Sequence, residues 1–346
     1  MEWDRRRSLR SSRHLVPVVV LVSLAGILPG CMAGAPPCTD TSEPLVRTDP
    51  PFQDVETWVS AFVDSIPTKP RQPYDAPEPC EQDGFRLAAV HASAGDLRNA
   101  AKYLNPMGYD VFDFTDRTGR VAVFAEQKSE GKPYEHGWGL YFVGIGSRKA
   151  PSLLVEAPHP IFDTDSEHLA AHAFDIAGAL YLGIAGTHRY VNGFDGDADG
   201  CMTDTKCADM SHQPKSIFEA MHGISLLLAL PGRARVYQSH GYGAENHESL
   251  NGAQAVSAGL REPTDRSKKV AQALRAARGP GGGPAFGVCL VGEPSGQDCT
   301  DLRALENVQA RSTNGDFIHV EASRPVRADQ NLRNLLAEAV VDAMRD

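Results

Sequence analysis

The sequence predicts an α/β fold in which helices cover both faces of a mixed, mostly parallel sheet. Short apolar runs typical of strands alternate with helical segments, and the strands are expected at 110–114, 120–126, 139–145, 152–156, 179–185, 234–238, 286–291 and 316–320. Helices are expected at 96–104, 164–177, 216–230, 265–278 and 329–344. In the last of these, Leu332, Leu335, Leu336 and Ala339 recur at the spacing that forms one apolar stripe.

Composition limits the class of function. The chain has 346 residues with 42% hydrophobic and 23% charged residues, which is typical of a globular domain. Its formal net charge is −10 even though Arg5, Arg6, Arg7, Arg10 and Arg13 crowd the start. Proteins that bind a nucleic-acid backbone do so through clustered Lys and Arg, and a chain with this negative charge is a poor candidate for such binding. No nucleic-acid partner is expected.

The first 30 residues have the pattern of an export signal. The five arginines precede an apolar stretch at 15–28, and Pro29, Gly30 and Cys31 follow. This ending resembles the bacterial lipobox, in which the cysteine is acylated and becomes the mature N-terminus. The resemblance implies a lipid anchor at Cys31 and a protein held on a membrane of the bacterial cell envelope. The alternative is an ordinary signal with an incidental nearby cysteine.

Six cysteines remain after Cys31, and an even number in an exported chain predicts disulfides. Sequence order suggests Cys38–Cys80, Cys201–Cys207 and Cys289–Cys299, since each pair closes a local loop. A cysteine-rich zinc site is the weaker interpretation because the chain has no Cys-x-x-Cys.

The domain prediction follows from these boundaries. Residues 31–83 are rich in Pro, Asp, Glu and Thr and read as a tether with one short helix near 55–65. Residues 84–346 are predicted to form one α/β catalytic domain with a disulfide-closed insertion at 193–212. Whether 84–134 forms a separate small domain or the first strands of the same sheet is left open. A monomer is expected.

Polar side chains follow four of the predicted strands. They are His159 and Asp163, His188 and Arg189, His240 and Tyr242, and Glu321, Arg324 and Arg327, in chain order. Ligands of open α/β sheets bind beyond the carboxyl ends of the strands, so we expect these side chains to converge. A mononuclear zinc hydrolase binds its metal through such ligands, here two histidines and one carboxylate, and uses a separate Glu as base. For any single histidine, a structural or surface role is the alternative.

The third ligand is Asp163 or Glu167. Glu167 closes the sequence Thr164-Asp165-Ser166-Glu167, which matches a capping box and gives that glutamate a structural role. Asp163, four residues after His159, has no such alternative and is preferred.

The order of these motifs resembles zinc carboxypeptidases and their relatives, including muramoyl-alanine amidases and poly-γ-glutamate hydrolases. The likeness spans about 138–346 and is carried by Val-Glu-Ala-Pro-His-Pro, Gly-Thr-His-Arg-Tyr, Gln-Ser-His-Gly-Tyr and Phe-Ile-His-Val-Glu-Ala-Ser. The first motif departs from the family's His-x-x-Glu. The resemblance implies a carboxypeptidase or phosphorylase/hydrolase-like fold. It also implies an enzyme that hydrolyses an amide bond of a peptide or of a peptidoglycan stem.

The same resemblance implies roles for individual residues. His159, Asp163 and His240 would bind zinc, which lowers the pKa of its water toward about 7 and polarises the scissile carbonyl. Glu321 would act as general base, and Arg189 would hold the oxyanion or a substrate carboxylate. The remaining strand-end side chains are assigned to substrate binding: Arg324, Arg327, His188 and Tyr242.

Two further functions compete with the hydrolase. One is a non-catalytic envelope-binding lipoprotein on the same fold. The other is a calcium-dependent adhesion module, because Asp195, Asp197 and Asp199 stand at the spacing that opens a calcium loop. Lys206 occupies the twelfth position, where an EF-hand has Glu. A serine or cysteine nucleophile is not expected, since the chain has no Gly-x-Ser-x-Gly.

Overall fold

A computed structural model describes residues 43–69, 74–129, 132–193, 198–230, 232–243, 245, 247–293, 299, 302–313 and 316–345. The predicted signal peptide at residues 1–30, the predicted lipidation site Cys31 and Cys38 lie outside these ranges, so the export, anchor and Cys38–Cys80 predictions stay predictions. Within the described ranges, no helix combines the length and the apolar character needed to cross a bilayer.

Ten strands and ten α-helices lie in the described part of the fold. The strands are β1 (Val46–Arg47), β2 (Tyr109–Asp116), β3 (Gly119–Glu126), β4 (Leu140–Gly144), β5 (Ala150–Ala157), β6 (Ala179–Ile184), β7 (Arg235–Tyr242), β8 (Gln254–Ser257), β9 (Val288–Leu290) and β10 (Phe317–Ser323). The helices are α1 (Val55–Val63), α2 (Pro79–Ser93), α3 (Leu97–Leu104), α4 (Ser166–Ala177), α5 (Ala198–Thr203), α6 (Ile217–Leu228), α7 (Asp265–Ala276), α8 (Val308–Ser312), α9 (Arg324–Ala328) and α10 (Gln330–Met344). All eight expected strands and all five expected helices are present, with shifted ends.

The strands form one sheet in the order β1-β2-β3-β4-β6-β5-β7-β10-β8-β9. Its centre, β6-β5-β7-β10, is parallel. Toward one edge, β6, β4, β3 and β2 pair antiparallel in turn and β1 lies parallel to β2. Toward the other edge, β8 lies antiparallel to β10 and parallel to β9. This confirms the predicted α/β class with a mixed, mostly parallel sheet. The carboxyl ends of the four central strands meet at one edge, where the sequence placed the site.

The side chains of each central strand alternate between two cores. Along β5, Leu153 and Val155 join the core under α4, α7 and α10, whereas Leu154 joins the core under α2, α3 and α6. Val236 on β7 and Phe317 on β10 face the second core. Residues two and four positions further along the same strands therefore lie on the α6 side of the sheet.

Part of the predicted tether is folded into the core, which corrects the boundary proposed at residue 84. Helix α1 buries Val55, Trp58, Val59 and Phe62, and the Trp58 ring meets the Phe112 ring edge-on at 5.0 Å. Helix α2 runs across the predicted boundary. Its proline, Pro79, stands in the first helical turn, where a missing N–H costs nothing. One of the prolines that suggested a linker thus marks the start of a helix.

The start of α4 differs from the predicted capping box. The cap residue is Asp165, whose backbone is left-handed at φ 71°, and the helix begins at Ser166. The Thr164 hydroxyl donates to the Ile161 carbonyl instead of capping the helix. Glu167 therefore lies in the first turn without the reciprocal capping bonds that the sequence suggested.

Two of the predicted disulfides are present. Cys201 pairs with Cys207 and Cys289 with Cys299, with Cα atoms 5.0 and 6.3 Å apart. The first bridge lies inside the predicted insertion, directly before the segment that reaches the site.

Candidate metal centre

Three buried side chains converge at the carboxyl edge of the sheet. His159 follows β5 by two residues, Asp163 lies on the loop before α4, and His240 projects from β7. The Asp163 carboxylate lies between the two imidazoles: its Oδ2 is 3.5 Å from Nδ1 of His159 and 3.2 Å from Nδ1 of His240. One ligand atom from each residue lies within 4.8 Å of the others. The structure therefore brings together the predicted metal ligands.

The other nitrogen of each imidazole faces outward to a fixed partner. Nε2 of His159 is 2.7 Å from Oδ1 of Asp209, and Nε2 of His240 is 2.8 Å from Oε1 of Gln238. Such partners orient metal-binding histidines. Both Nδ1 atoms are thereby directed at the space that Asp163 occupies. Nδ1 of His159 is buried and has no hydrogen-bond partner among the described residues.

This donor set fits a divalent transition metal. Two imidazole nitrogens and one carboxylate are a common set of protein ligands in catalytic zinc sites, which keep a further position open. Burial raises the pKa of Asp163, but the adjacent imidazoles of His159 and His240 outweigh burial and hold that pKa below its usual range. The carboxylate is thus ionised, as a metal ligand must be.

Glu321 stands beside this cluster on β10. Its side chain is 12% exposed, and Oε2 has no hydrogen-bond partner in the described part of the chain. Burial raises the pKa of Glu321 to about 8, with a further contribution from the negative charge of Asp163. A carboxylate with that pKa holds and releases a proton near neutral pH.

His319 is a residue of this site that the sequence did not indicate. It lies two positions before Glu321 on the same face of β10, with Nε2 at 3.4 Å from Oε1 of Glu321. Its ring centroid is 4.3 Å from that of His240. Burial lowers the pKa of His319 well below the usual range, so its imidazole is neutral. His240, His319 and Glu321 form a second group whose ligand atoms lie within 4.8 Å of one another.

Asp209 connects the predicted Arg189 to the cluster. Its Oδ1 meets His159 and accepts from Ser211 at 2.9 Å, while its Oδ2 accepts from Nη2 of Arg189 and lies 3.3 Å from Nδ1 of His212. Burial raises the pKa of Asp209, but His159 and Arg189 outweigh it and hold the pKa well below normal. The insertion closed by Cys201–Cys207 therefore delivers a buried negative charge to the site.

Arg189 also borders an aromatic rim. Its guanidinium lies 5.2 Å from the Phe162 ring and 5.4 Å from the Tyr190 ring. Phe162 is 45% exposed, although it directly precedes Asp163. Its ring meets that of His188 at 6.0 Å, and burial lowers the pKa of His188. His188 thus lies at the rim rather than among the buried ligands.

Three residues predicted to bind substrate make contacts with the loops around the site. Arg327 is buried and donates to the carbonyls of Ala322, Thr164 and Tyr242. The Tyr242 hydroxyl donates to the Ala253 carbonyl at 2.6 Å. Arg324 is half exposed and donates to Asp165 at 2.5 Å. Arg327 and Tyr242 thus hold the loops around the site, and the assignment of the three residues to substrate binding stays a prediction.

Glu167, the alternative ligand, lies apart from the two histidines. It is buried beside His168, with Oε1 at 3.7 Å from Nε2 of that histidine, and its Oε2 has no hydrogen-bond partner among the residues described. Burial raises its pKa to about 8. Asp163, not Glu167, lies between His159 and His240.

Comparisons with known proteins add little to this geometry. No protein-family model matches the chain, and no curated protein matches it. A variant of tomato leucine aminopeptidase is similar at a TM-score of 0.36 and 10% identity over 83% of this chain. The chain spans 56% of the length of that protein. A provisionally assigned metallopeptidase from Shewanella denitrificans OS217 is similar at a TM-score of 0.28 and 12% identity, over 79% of this chain and 96% of its own.

The residues of the predicted calcium loop lie almost entirely outside the part of the chain that the structure describes. Asp195 and Asp197 lie outside the described residues, and the side chain of Asp199 is likewise outside them. The calcium loop therefore stays a prediction.

Proposed function

We propose that the chain is a zinc-dependent hydrolase of amide bonds. The observation that supports this most strongly is a buried set of nitrogen, oxygen and nitrogen donors from His159, Asp163 and His240, with the unpartnered carboxylate oxygen of Glu321 beside it. Zinc held by such a set supplies a water of lowered pKa and polarises the substrate carbonyl.

Glu321 is the proton-transfer group in this proposal. Its Oε2 receives a proton from water and returns it to the leaving amine, a role that needs a pKa near the working pH. Burial gives Glu321 such a pKa. His319 faces its other oxygen and limits the rotation of the carboxylate.

Arg189 stabilises negative charge on the substrate. One of its terminal nitrogens is engaged by Asp209, while its Nε is buried without a hydrogen-bond partner among the described residues. That donor remains for the oxyanion that forms during attack or for a substrate carboxylate.

The proposed substrate and location rest on sequence patterns. We propose that the protein is exported, anchored through a lipid on Cys31, and acts on peptide or peptidoglycan stem amides at the cell envelope. Two disulfides support an oxidising compartment.

Elemental analysis of the purified protein tests the metal directly. We expect about one zinc per chain, lost in His159→Ala and in His240→Ala and retained in the control His91→Ala, whose imidazole stacks on Tyr103 of α3. Incubation with peptidoglycan and with a peptide library, followed by mass spectrometry, then identifies the bond cleaved. A wild-type protein without zinc, or both variants with full zinc, would exclude this function and leave a non-catalytic binding protein.

A further inference from the structure

A second group of potential metal ligands lies at the start of α4. Asp165 caps this helix, and Glu167 and His168 stand in its first turn. One ligand atom from each of the three residues lies within 4.8 Å of the others. The group contains none of the ligands proposed for the buried centre, and the function proposed above does not use it.

Glu167 is the buried member of this group. Its side chain is 5% exposed, and its Oε2 has no hydrogen-bond partner among the described residues. Buried polar atoms in folded proteins are almost always paired, since the loss of hydration costs free energy. A bound cation is one arrangement that compensates a buried carboxylate oxygen. The burial of Glu167 therefore points to a ligand, whereas an exposed acid in the same place would not.

His168 and Asp165 complete the group at the surface. Nε2 of His168 is 3.7 Å from Oε1 of Glu167, and the His168 side chain is 24% exposed. Two ligand atoms at about 2.1 Å from one tetrahedral zinc ion are themselves about 3.4 Å apart. The imidazole and the carboxylate therefore need only a small movement to bind the same ion. Asp165 is 22% exposed, so an ion can reach the group from solvent.

Arg324 competes with a metal for Asp165. Its Nη1 donates to Oδ2 of Asp165 at 2.5 Å, and Nη1 of Arg333 is 3.9 Å from Oδ1. The Arg324 side chain is 51% exposed, so it is able to turn into solvent and leave that oxygen to an ion. Because an ion must displace this guanidinium, it would bind here more weakly than at the buried centre.

From this geometry we propose that Asp165, Glu167 and His168 form a second site for a divalent transition metal such as zinc. One imidazole nitrogen and two carboxylate oxygens suit such an ion, with water in the remaining position. Asp165 follows Asp163 by two residues, so the ion ties the loop that carries a ligand of the buried centre to the first turn of α4. The second site does not depend on the proposed hydrolase.

Zinc titration of the full chain, after chelation and against a competing chromophoric chelator, tests this site. We expect the wild type to bind two zinc ions, one tightly at the buried centre and one more weakly, which purification removes. Glu167→Gln, which keeps the size of the side chain, and His168→Ala should each lose only the weaker ion. His159→Ala should lose only the tighter ion, and the control His91→Ala should keep both.

Arg324→Ala tests the competition for Asp165 directly. Removing the guanidinium should strengthen the weaker site about 2- to 5-fold, since the ion pair that the metal displaces is partly exposed. Weaker binding in this variant, a wild type that binds a single zinc ion at saturation, or a second ion that persists in both Glu167→Gln and His168→Ala would overturn the inference. A protein that binds zinc at this site alone would support the inference and exclude the proposed hydrolase.

Discussion

Glu321 lies directly opposite His240 in the parallel pairing of β10 with β7. Neighbouring strands are separated by about 4.8 Å, so backbone hydrogen bonds set the spacing between the candidate base and a candidate ligand. Sites built on strands hold their geometry more closely than sites built on loops. The sheet itself therefore fixes the spacing between Glu321 and His240.

Glu321→Gln should retain zinc and lose turnover. The amide keeps the size of the side chain but cannot take a proton from water, so we expect amide hydrolysis to fall about 10²- to 10⁴-fold. Zinc content and hydrolysis measured on the same preparation check this. The exposed Glu262→Gln is the matched control, and full activity of Glu321→Gln would remove Glu321 from the mechanism.

Asp209→Asn should weaken zinc binding about 10- to 100-fold, because the outer partner of His159 loses its charge. Competition with a chelator of known affinity measures the change. Asp204→Asn changes an exposed acid of the same insertion that accepts the Lys206 N–H, and its zinc affinity should equal that of the wild type. Equal affinities in both variants would mean that Asp209 does not support the ligand.

The Cys201–Cys207 disulfide should affect both stability and metal binding. The two cysteines are 6 positions apart in the sequence. Replacing both by serine removes the bridge, and we expect the free energy of unfolding to fall by about 2 kcal/mol. Zinc affinity should fall as well, because Asp209 follows Cys207 by two residues. The matched control removes Cys289–Cys299, with a separation of 10 residues, and should lower stability while leaving zinc affinity unchanged.

Glu167→Gln should change how stability depends on pH. Burial raises the folded-state pKa of Glu167 to about 8, so the folded state binds more protons than the unfolded state between about pH 4.5 and 8. The wild type therefore loses stability as pH rises through this window. The variant lacks this loss. Between pH 4 and pH 9, its free energy of unfolding should therefore rise relative to that of the wild type by up to about 5 kcal/mol. Urea unfolding at several pH values measures the difference, and parallel profiles would contradict it.

The sequence was sufficient to predict the sheet and to predict that His159, Asp163 and His240 lie close together. Apolar runs identify buried strands, and the carboxyl ends of parallel strands share one edge, so residues far apart in the chain could be placed together. The same reasoning could not find Asp209, because it lies on a disulfide-closed loop rather than at a strand end.

Gln238 and His319 were missed for another reason. Each is a polar residue inside a strand whose neighbours are apolar, and position alone does not show what it faces. The available signal was spacing, since Gln238 precedes His240 by two residues and His319 precedes Glu321 by two. Period-two alternation places each pair on one face of the sheet. The short helix expected near 55–65 is present as α1. Its burial in the core and the start of α2 before residue 84 were missed, because proline content indicated a linker.

Arg327 has a consequence for how the centre behaves as a whole. Its guanidinium donates to carbonyls of three segments: Thr164 after β5, Tyr242 at the end of β7 and Ala322 on β10. Each segment carries or borders a different member of the metal centre. Since one buried cation ties all three together, their amide hydrogens should exchange with solvent as a single cooperative unit, and the centre should open or stay closed in one event.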